Sequence, residues 1–364
     1  MSKPPYRGDQ VGSLLRPANL SETRARWRRG EVDAATLKAT EDAAIRDAVA
    51  KQEAVGLESI TDGEFRRDWW HLDFLAGLDG VVMQENPGPK FKTDSHEQPP
   101  IPAVAGRVAC SAPIMADHFA FLKSVTSRTA KMTIPSPSML HLRGGRRVVS
   151  KDVYPNQDDF FADVAAAYRV AIRHLADAGC TYLQLDDVAF AYLCDPRIQE
   201  NCRANGDDPD ALPRIYADTI NEALRDKPEG MTITIHTCRG NFKSAWVAEG
   251  GYDPVVEAMF STNVDGYFME FDSERSGTFE PLRALPAGEK RIVLGLVTTK
   301  LGEIESKDLL ERRIEEAAKY VPLENLCLSP QCGFSSTHHG NAVSEQQQWD
   351  KLRLVVDVAK AVWG

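Results

Sequence analysis

The sequence predicts an α/β protein: a TIM (β/α)8 barrel with an inserted hairpin or lid over residues 82 to 108. Three observations carry this. Eight short apolar runs alternate with segments of helical periodicity along 364 residues. The runs are continuous rather than alternating, as in parallel strands covered by helices. No GxGxxG follows the first run, so the open dinucleotide-binding sheet loses its main signal.

Taken in order, residues 8 to 15 (GDQVGSLL) read as a first strand entering a loop at Gly12 and Ser13. Residues 33 to 54 place apolar side chains at helical spacing with acids early, and Gly56 stops them. A second strand, 57 to 61, leads into DGEFRRDWWHLDF, where a helix is expected to start. Residues 82 to 108 are rich in Pro, Gly and charge and depart from the pattern, hence the inserted hairpin, read as a lid over the barrel mouth. Strand 3 (131 to 134) ends at Pro135, and 160 to 178 is an amphipathic helix. Strand 4 (181 to 185) ends in Asp186 and Asp187, and 211 to 224 is helical. Strand 5 (231 to 235) is followed by a helix at 254 to 260, and strand 6 (264 to 269) ends in Glu270. Strand 7 (291 to 297), a helix from 307 to 320, strand 8 (325 to 330) and a helix from 345 to 362 complete one domain, 1 to 364.

Composition narrows the function. With 43% hydrophobic and 26% charged residues the chain is ordinary for a globular protein. A net charge of -10 argues against a nucleic-acid partner, because phosphate binding needs a basic face. No apolar run approaches the roughly 20 residues that span a bilayer. The N-terminus has no apolar signal core, so a cytoplasmic location is expected. Seven cysteines at scattered spacings do not form a disulfide framework, and in a reducing compartment they are thiols.

The polar residues that carry chemistry collect after strand ends, where TIM barrels place their sites. His236 and Cys238 lie two apart on an extended backbone, so imidazole and thiol point to one side. Asp62 and Glu64 follow strand 2, Asp186 and Asp187 strand 4, Glu270 strand 6, and Cys332 strand 8. A His, two Cys and a carboxylate suit a four-ligand zinc site, whose fourth ligand the residues alone leave open. Plainer readings stand beside these. Cys180 and Cys327 fit buried small hydrophobes, and Cys110, Cys194 and Cys202 receive no role. Glu270 is open to pairing with Arg275, Asp186 and Asp187 to capping, Trp69 and Trp70 to packing, and His338 and His339 to loop positions.

In combination and order, the motifs VGS, DGE, LQLDD, IHTC, MEFDSER and PQCG resemble the catalytic C-terminal half of cobalamin-independent methionine synthase. The likeness is closer still to the short single-barrel members, and it runs from QVGSLLRP to SPQCGF. It implies zinc held by His236, Cys238, Glu270 and Cys332. It also implies a substrate pocket in which Gly12 and Ser13 hold an amino-acid carboxylate while Glu64 and Asp186 hold the ammonium. Asp186 and Glu270 are then the catalytic carboxylates, Glu270 being the harder ligand and the more easily displaced. The implied reaction is S-methylation of homocysteine, bound to zinc as thiolate, to give methionine. The donor is a methyl-folate or a methylcorrinoid. Small-molecule thiol and donor are thus the expected partners, with monomer and homodimer both left open.

Three departures from the long enzymes bear on the donor. The N-terminal barrel is missing, the pterin-stacking tryptophan after strand 3 is replaced by IPSPS (134 to 138), and LVTTK (296 to 300) stands where an Asp and a His are found. A related alternative is alkyl transfer to another thiol, as in epoxyalkane:coenzyme M transferase. A different class, a metal-free uroporphyrinogen decarboxylase-like barrel, needs cations for an acidic substrate, with Arg16, Arg66, Arg67 and Arg239 as candidates. That class has no use for His236, Cys238 and Cys332 together.

Overall fold

In the computed structural model, which describes residues 3–85 and 100–364, the apolar runs become a curled parallel sheet. The first regular strand, β1 (Ser59–Ile60), is followed by an antiparallel hairpin of β2 (Asp79–Gln84) and β3 (Ile101–Ala109). Six strands complete the sheet: β4 (Thr129–Pro135), β5 (Tyr182–Asp187), β6 (Thr232–Thr237), β7 (Gly266–Glu270), β8 (Arg291–Val297) and β9 (Leu326–Pro330). The spatial order β1-β4-β5-β6-β7-β8-β9 follows the chain once the hairpin is set aside, and every pair in it is parallel. Every residue of β5, β7 and β9 is buried, which is why their sequences do not alternate.

Helices cover the sheet where expected: Ala34–Val55, Gln157–Asp177, Leu212–Ala223, Val256–Phe260, Lys307–Ala317 and Glu345–Trp363. Their starts are set by side-chain caps, Asp33 accepting from Thr36 N, Ser306 from Leu309 N, and Ser344 and Gln347 forming a reciprocal capping box. Gly56, at φ 103°, ends the first of them. Helices Ala18–Arg28, Ala116–Val125 and Pro196–Ala204 were not expected. The first buries only Leu20 and Arg24, so its amphipathic signal is weak.

Two expectations are corrected. Residues 8 to 15 do not form a regular strand: Gly8 makes a single parallel bridge to Leu328. The physical reason is Asp9, whose carboxylate accepts from the backbone N–H of Tyr6 and of Gln10. The segment nevertheless lies between the sheet's two edges. Asp9 N donates to Leu328 O on β9 at 2.9 Å, and Gln10 Nε2 donates to Ser59 O on β1 at 3.1 Å. The helix expected after DGEF is reduced to one turn, Leu72–Leu75. Gly63 and Glu64, both at positive φ (67° and 60°), break the backbone first, and Asp62 caps Glu64 N at 2.8 Å.

The inserted hairpin exists. β3 lies against helix Gln157–Asp177, and Val104 bridges Val149. Residues 86 to 99 of the expected lid lie outside the described residues.

Candidate metal centre and substrate cavity

The strands reach further than their apolar runs, and this positions the site. Asp186 and Asp187 are the last residues of β5, His236 and Thr237 of β6, and Glu270 of β7, all still in ladder register. Asp186 sits beside His236, so a carboxylate and an imidazole start from adjacent rungs. At the β8–β9 edge the register shifts between Gly295 and Val297. A Cβ on Gly295 would lie 2.8 Å from Gln331 Cα and 2.9 Å from Met269 O, both backbone atoms. Glycine there lets the chain leaving β9 turn inward with Gln331 and Cys332.

The ligand atoms of His236, Cys238 and Cys332 all lie within 4.8 Å of one another, and the three side chains are buried. The two sulfurs are 3.4 Å apart and not bonded to each other. Neither ring nitrogen of His236 has a hydrogen-bond partner. The shared hydrogen bond holds Cys332 well below the ordinary thiol range and pushes Cys238 well above it. Burial opposes charge on His236, yet the nearby Cys332, Asp186 and Glu270 raise it overall. The set fits zinc. Two thiolates on a tetrahedral zinc with Zn–S bonds of about 2.3 Å lie about 3.8 Å apart, and an unpartnered buried imidazole is a ligand already desolvated.

Glu270 is next to this group but outside it. Its carboxylate accepts from Arg239 N at 3.0 Å and from Gln331 Nε2 at 2.7 Å, with Arg275 Nη2 at 3.6 Å. The pairing with Arg275 open from the sequence is thus present, although Arg275 sits closer to Asp272, at 2.8 Å.

Ser13, Glu64, Asp186, His236, Cys238 and Cys332 line one cavity; Gly12 and Glu270 do not. Ser13 Oγ receives Ser335 N at 3.3 Å, and Gly333 passes so close that a Cβ there would lie 1.9 Å from that oxygen. Gly12 works from behind, its carbonyl accepting from Thr61 Oγ1 at 2.6 Å. Glu64 Oε1 accepts from Thr133 Oγ1 at 3.0 Å, while Oε2 is buried without a hydrogen bond, with Arg67 Nη1 at 3.9 Å. Burial raises Glu64 to about 7, against Arg67 and helped by Asp186. Burial likewise raises Asp186 to about 6, against His236 and the Gln184 amide. Two carboxylates that resist ionising side by side form a natural seat for an ammonium.

Asp187 takes the capping reading. It accepts from Phe190 N at 3.0 Å and from Ser138 Oγ. Trp69 and Trp70, read as packing, both line the cavity, with Trp69 stacked on Phe242 (centroids 6.2 Å, planes 5° apart). His71, Arg143, Tyr192 and Asn241 also line it and carried no sequence signal, since each lies in a loop or short helix without a motif. The four arginines considered for an acidic tetrapyrrole do not line it. Arg16 is spent on carbonyls including Ser335 and Arg67, Arg66 on Glu41 and Asp42, Arg67 on Thr133 O, and Arg239 on Tyr252 and Gly250.

The catalytic-domain model of the cobalamin-independent synthases matches residues 8–361. The chain belongs to this family. Membership makes it a methyltransferase of the cobalamin-independent methionine synthase kind. Among members, it is 46% identical to the Bacillus subtilis (strain 168) uncharacterized protein YxjH, over 99% of this chain and 96% of that one. The 5-methyltetrahydropteroyltriglutamate–homocysteine methyltransferase of Thermotoga petrophila is 22% identical over 96% of this chain, which spans 43% of that longer protein. A solved putative vitamin-B12 independent methionine synthase from Listeria monocytogenes superposes with a TM-score of 0.81 at 40% identity, covering 100% of both chains. A Shewanella sp. W3-18-1 B12-independent methionine synthase, solved with selenomethionine, gives 0.73 at 19% identity, over 97% of this chain and 96% of that one. In this chain the cluster lies at the carboxyl ends of β6 and β9.

Proposed function

We propose that this synthase-family protein methylates the thiol of homocysteine to give methionine at a zinc centre held by His236, Cys238 and Cys332. The observation that carries the reading is the convergence of three soft ligands within 4.8 Å around an imidazole with no other partner. Zinc, when bound, keeps a substrate thiol deprotonated at neutral pH, where a free thiol of pKa near 8.5 is almost all protonated. Glu270 would be the fourth residue to hold the metal. Its present donors, the Gln331 amide and the Arg239 backbone N–H, hold the carboxylate close to the three soft ligands.

The chain's own residues orient the amino acid. Glu64 and Asp186 receive the ammonium, and Ser13 with Gly12 behind it receives the carboxylate, which leaves the thiol directed toward Cys238 and Cys332. Trp69, Trp70 and Phe242 screen the cavity from water. We read the sheet, with residues 8 to 15 bridging β9 and β1, as a closed eight-position barrel. A soluble cytoplasmic enzyme matches this reading; no helix among the described residues is long and apolar enough to cross a membrane.

Zinc content of the purified full chain beside a Cys332→Ser variant tests the centre. About one zinc per chain is expected in the wild type, with loss or sharp weakening in the variant and in His236→Ala. A well-folded wild type that takes up no zinc on loading would remove the mechanism.

A further inference from the structure

One wall of the cavity is left unused by the acceptor. Among the described residues lining it, Arg143 is the only Lys or Arg, while Glu64, Asp186 and Asp187 supply three carboxylates. Yet Arg143 makes no hydrogen bond or ion pair to any described residue, and its Nε is buried without a partner. Beside it stands His71, 1% exposed, whose two ring nitrogens also lack partners. His71 packs on Trp70 with centroids 4.5 Å apart, and burial followed by the Arg143 charge keeps its imidazole neutral. The Tyr192 hydroxyl, also without a hydrogen bond, completes the group. Tyr192 feels the charge of Arg143 and of the Cys238–Cys332 pair, and all of these residues line the same cavity.

A guanidinium, an N–H and an O–H left unpaired in a half-enclosed space form a seat for an oxyanion, since the Arg143 Nε and the His71 ring nitrogens are buried and none of the three groups is compensated. The acceptor does not fill it. An α-amino acid carries its ammonium and carboxylate on one carbon, and the principal charges acting on Glu64 and Asp186 include Arg67 but not Arg143. With the thiol at the cysteines and the ammonium at Glu64 and Asp186, the anion at Arg143 comes from the second substrate.

We propose that Arg143, with His71 and Tyr192, is a specificity subsite that binds a carboxylate carried by the methyl donor. The inference rests on the methyl-transfer reading above. It makes the enzyme selective for donors bearing an acid group, whether a methyl-folate through its glutamyl carboxylate or a small sulfonium through its own.

Calorimetric titration of the zinc-loaded full chain tests it, using 5-methyltetrahydrofolate and its glutamyl diamide, and a dimethylsulfonio-carboxylate and its methyl ester. Wild type, R143K and R143Q are compared, and homocysteine is titrated separately into each. In wild type at least one acid probe should bind roughly 10- to 100-fold more tightly than its neutral partner, the range expected for a charged hydrogen bond. R143Q should erase that difference and R143K restore part of it, with homocysteine affinity the same in all three. The proposal is overturned if wild type does not prefer either acid, or if R143Q weakens homocysteine and spares the acids. Should R143Q fail to fold, the acid-against-neutral comparison in wild type decides alone. Failure of zinc loading or of homocysteine binding in wild type indicts the earlier reading instead.

Discussion

At the residue scale, Glu64 shows how burial turns an ordinary acid into a recognition group. Its backbone sits at φ 60°, a conformation uncommon outside glycine, and its buried Oε2 has no hydrogen bond, so strain and desolvation are both concentrated there. A folded-state value of about 7 against 4.5 means the folded chain holds more protons than the unfolded chain between those limits. Stability contributed at this site therefore falls as pH rises from 4.5 through 7 and stays reduced above it. Glu64→Gln should thus stabilise the ligand-free protein by a few kcal/mol at pH 8 and by little at pH 4.5, seen in urea midpoints. The same variant should lose homocysteine binding, because an ammonium is what makes the ionised carboxylate worth keeping. Wild-type binding at pH 6.5 should release protons, read from calorimetry in two buffers; unchanged enthalpy between buffers would refute this role.

At the element scale, the site depends on strands that continue past their apolar runs. β5, β6 and β7 each carry polar residues at their final ladder positions, so Asp186, His236 and Glu270 are held by sheet hydrogen bonds rather than by loops. β8 contributes by what it lacks. Gly295→Ala would drive a methyl group to 2.8 Å from Gln331 Cα, with backbone on both sides and no side chain able to yield. A loss of about 1–3 kcal/mol is expected from overpacking. Zinc affinity should fall with it, because displacing Gln331 moves Cys332 and removes a donor from Glu270. A competition titration with a zinc chelator reads the second effect; full affinity in a destabilised variant would show that the edge can shift without the ligands.

At the scale of the whole molecule, one buried ion pair ties the N-terminal segment into the sheet. Lys131 Nζ lies 3.4 Å from Asp9 Oδ1, both side chains at 0% exposure, and also donates to Gln10 O. Asp9 further accepts from Ser59 Oγ on β1 and Tyr182 OH on β5, so one carboxylate joins three parts of the fold. Lys131 rests against the rings of Tyr182 and Phe268, which leaves it no route to water. Asp9→Ala strands that ammonium and should cost about 3–5 kcal/mol in chemical denaturation. Replacing Asp9 and Lys131 together by apolar residues should recover much of the loss; an additive double variant would show the pair is not coupled.

The sequence alone determined what depends on local pattern. Buried parallel strands must be continuously apolar, helices need a capped amphipathic stripe, and His236 and Cys238 must face one side of an extended chain, so these were legible in order and position. Strand-end position singled out Cys332, Glu64 and Asp186, and motif likeness gave them roles in one site, which spacing could not have joined. The tertiary structure decided the rest. It withheld a regular strand from residues 8 to 15, because the Asp9 side chain captures the backbone groups that a ladder would use. It kept Glu270 with Gln331 and the Arg239 amide instead of with the three soft ligands. It set the Trp69 and Trp70 rings and the unpaired Arg143 around the cavity, where no periodicity pointed. Local pattern records which face of an element meets the core; which loop residues meet one another depends on how far apart the strand ends lie and which glycines let them close, and that distance exists only in the folded chain.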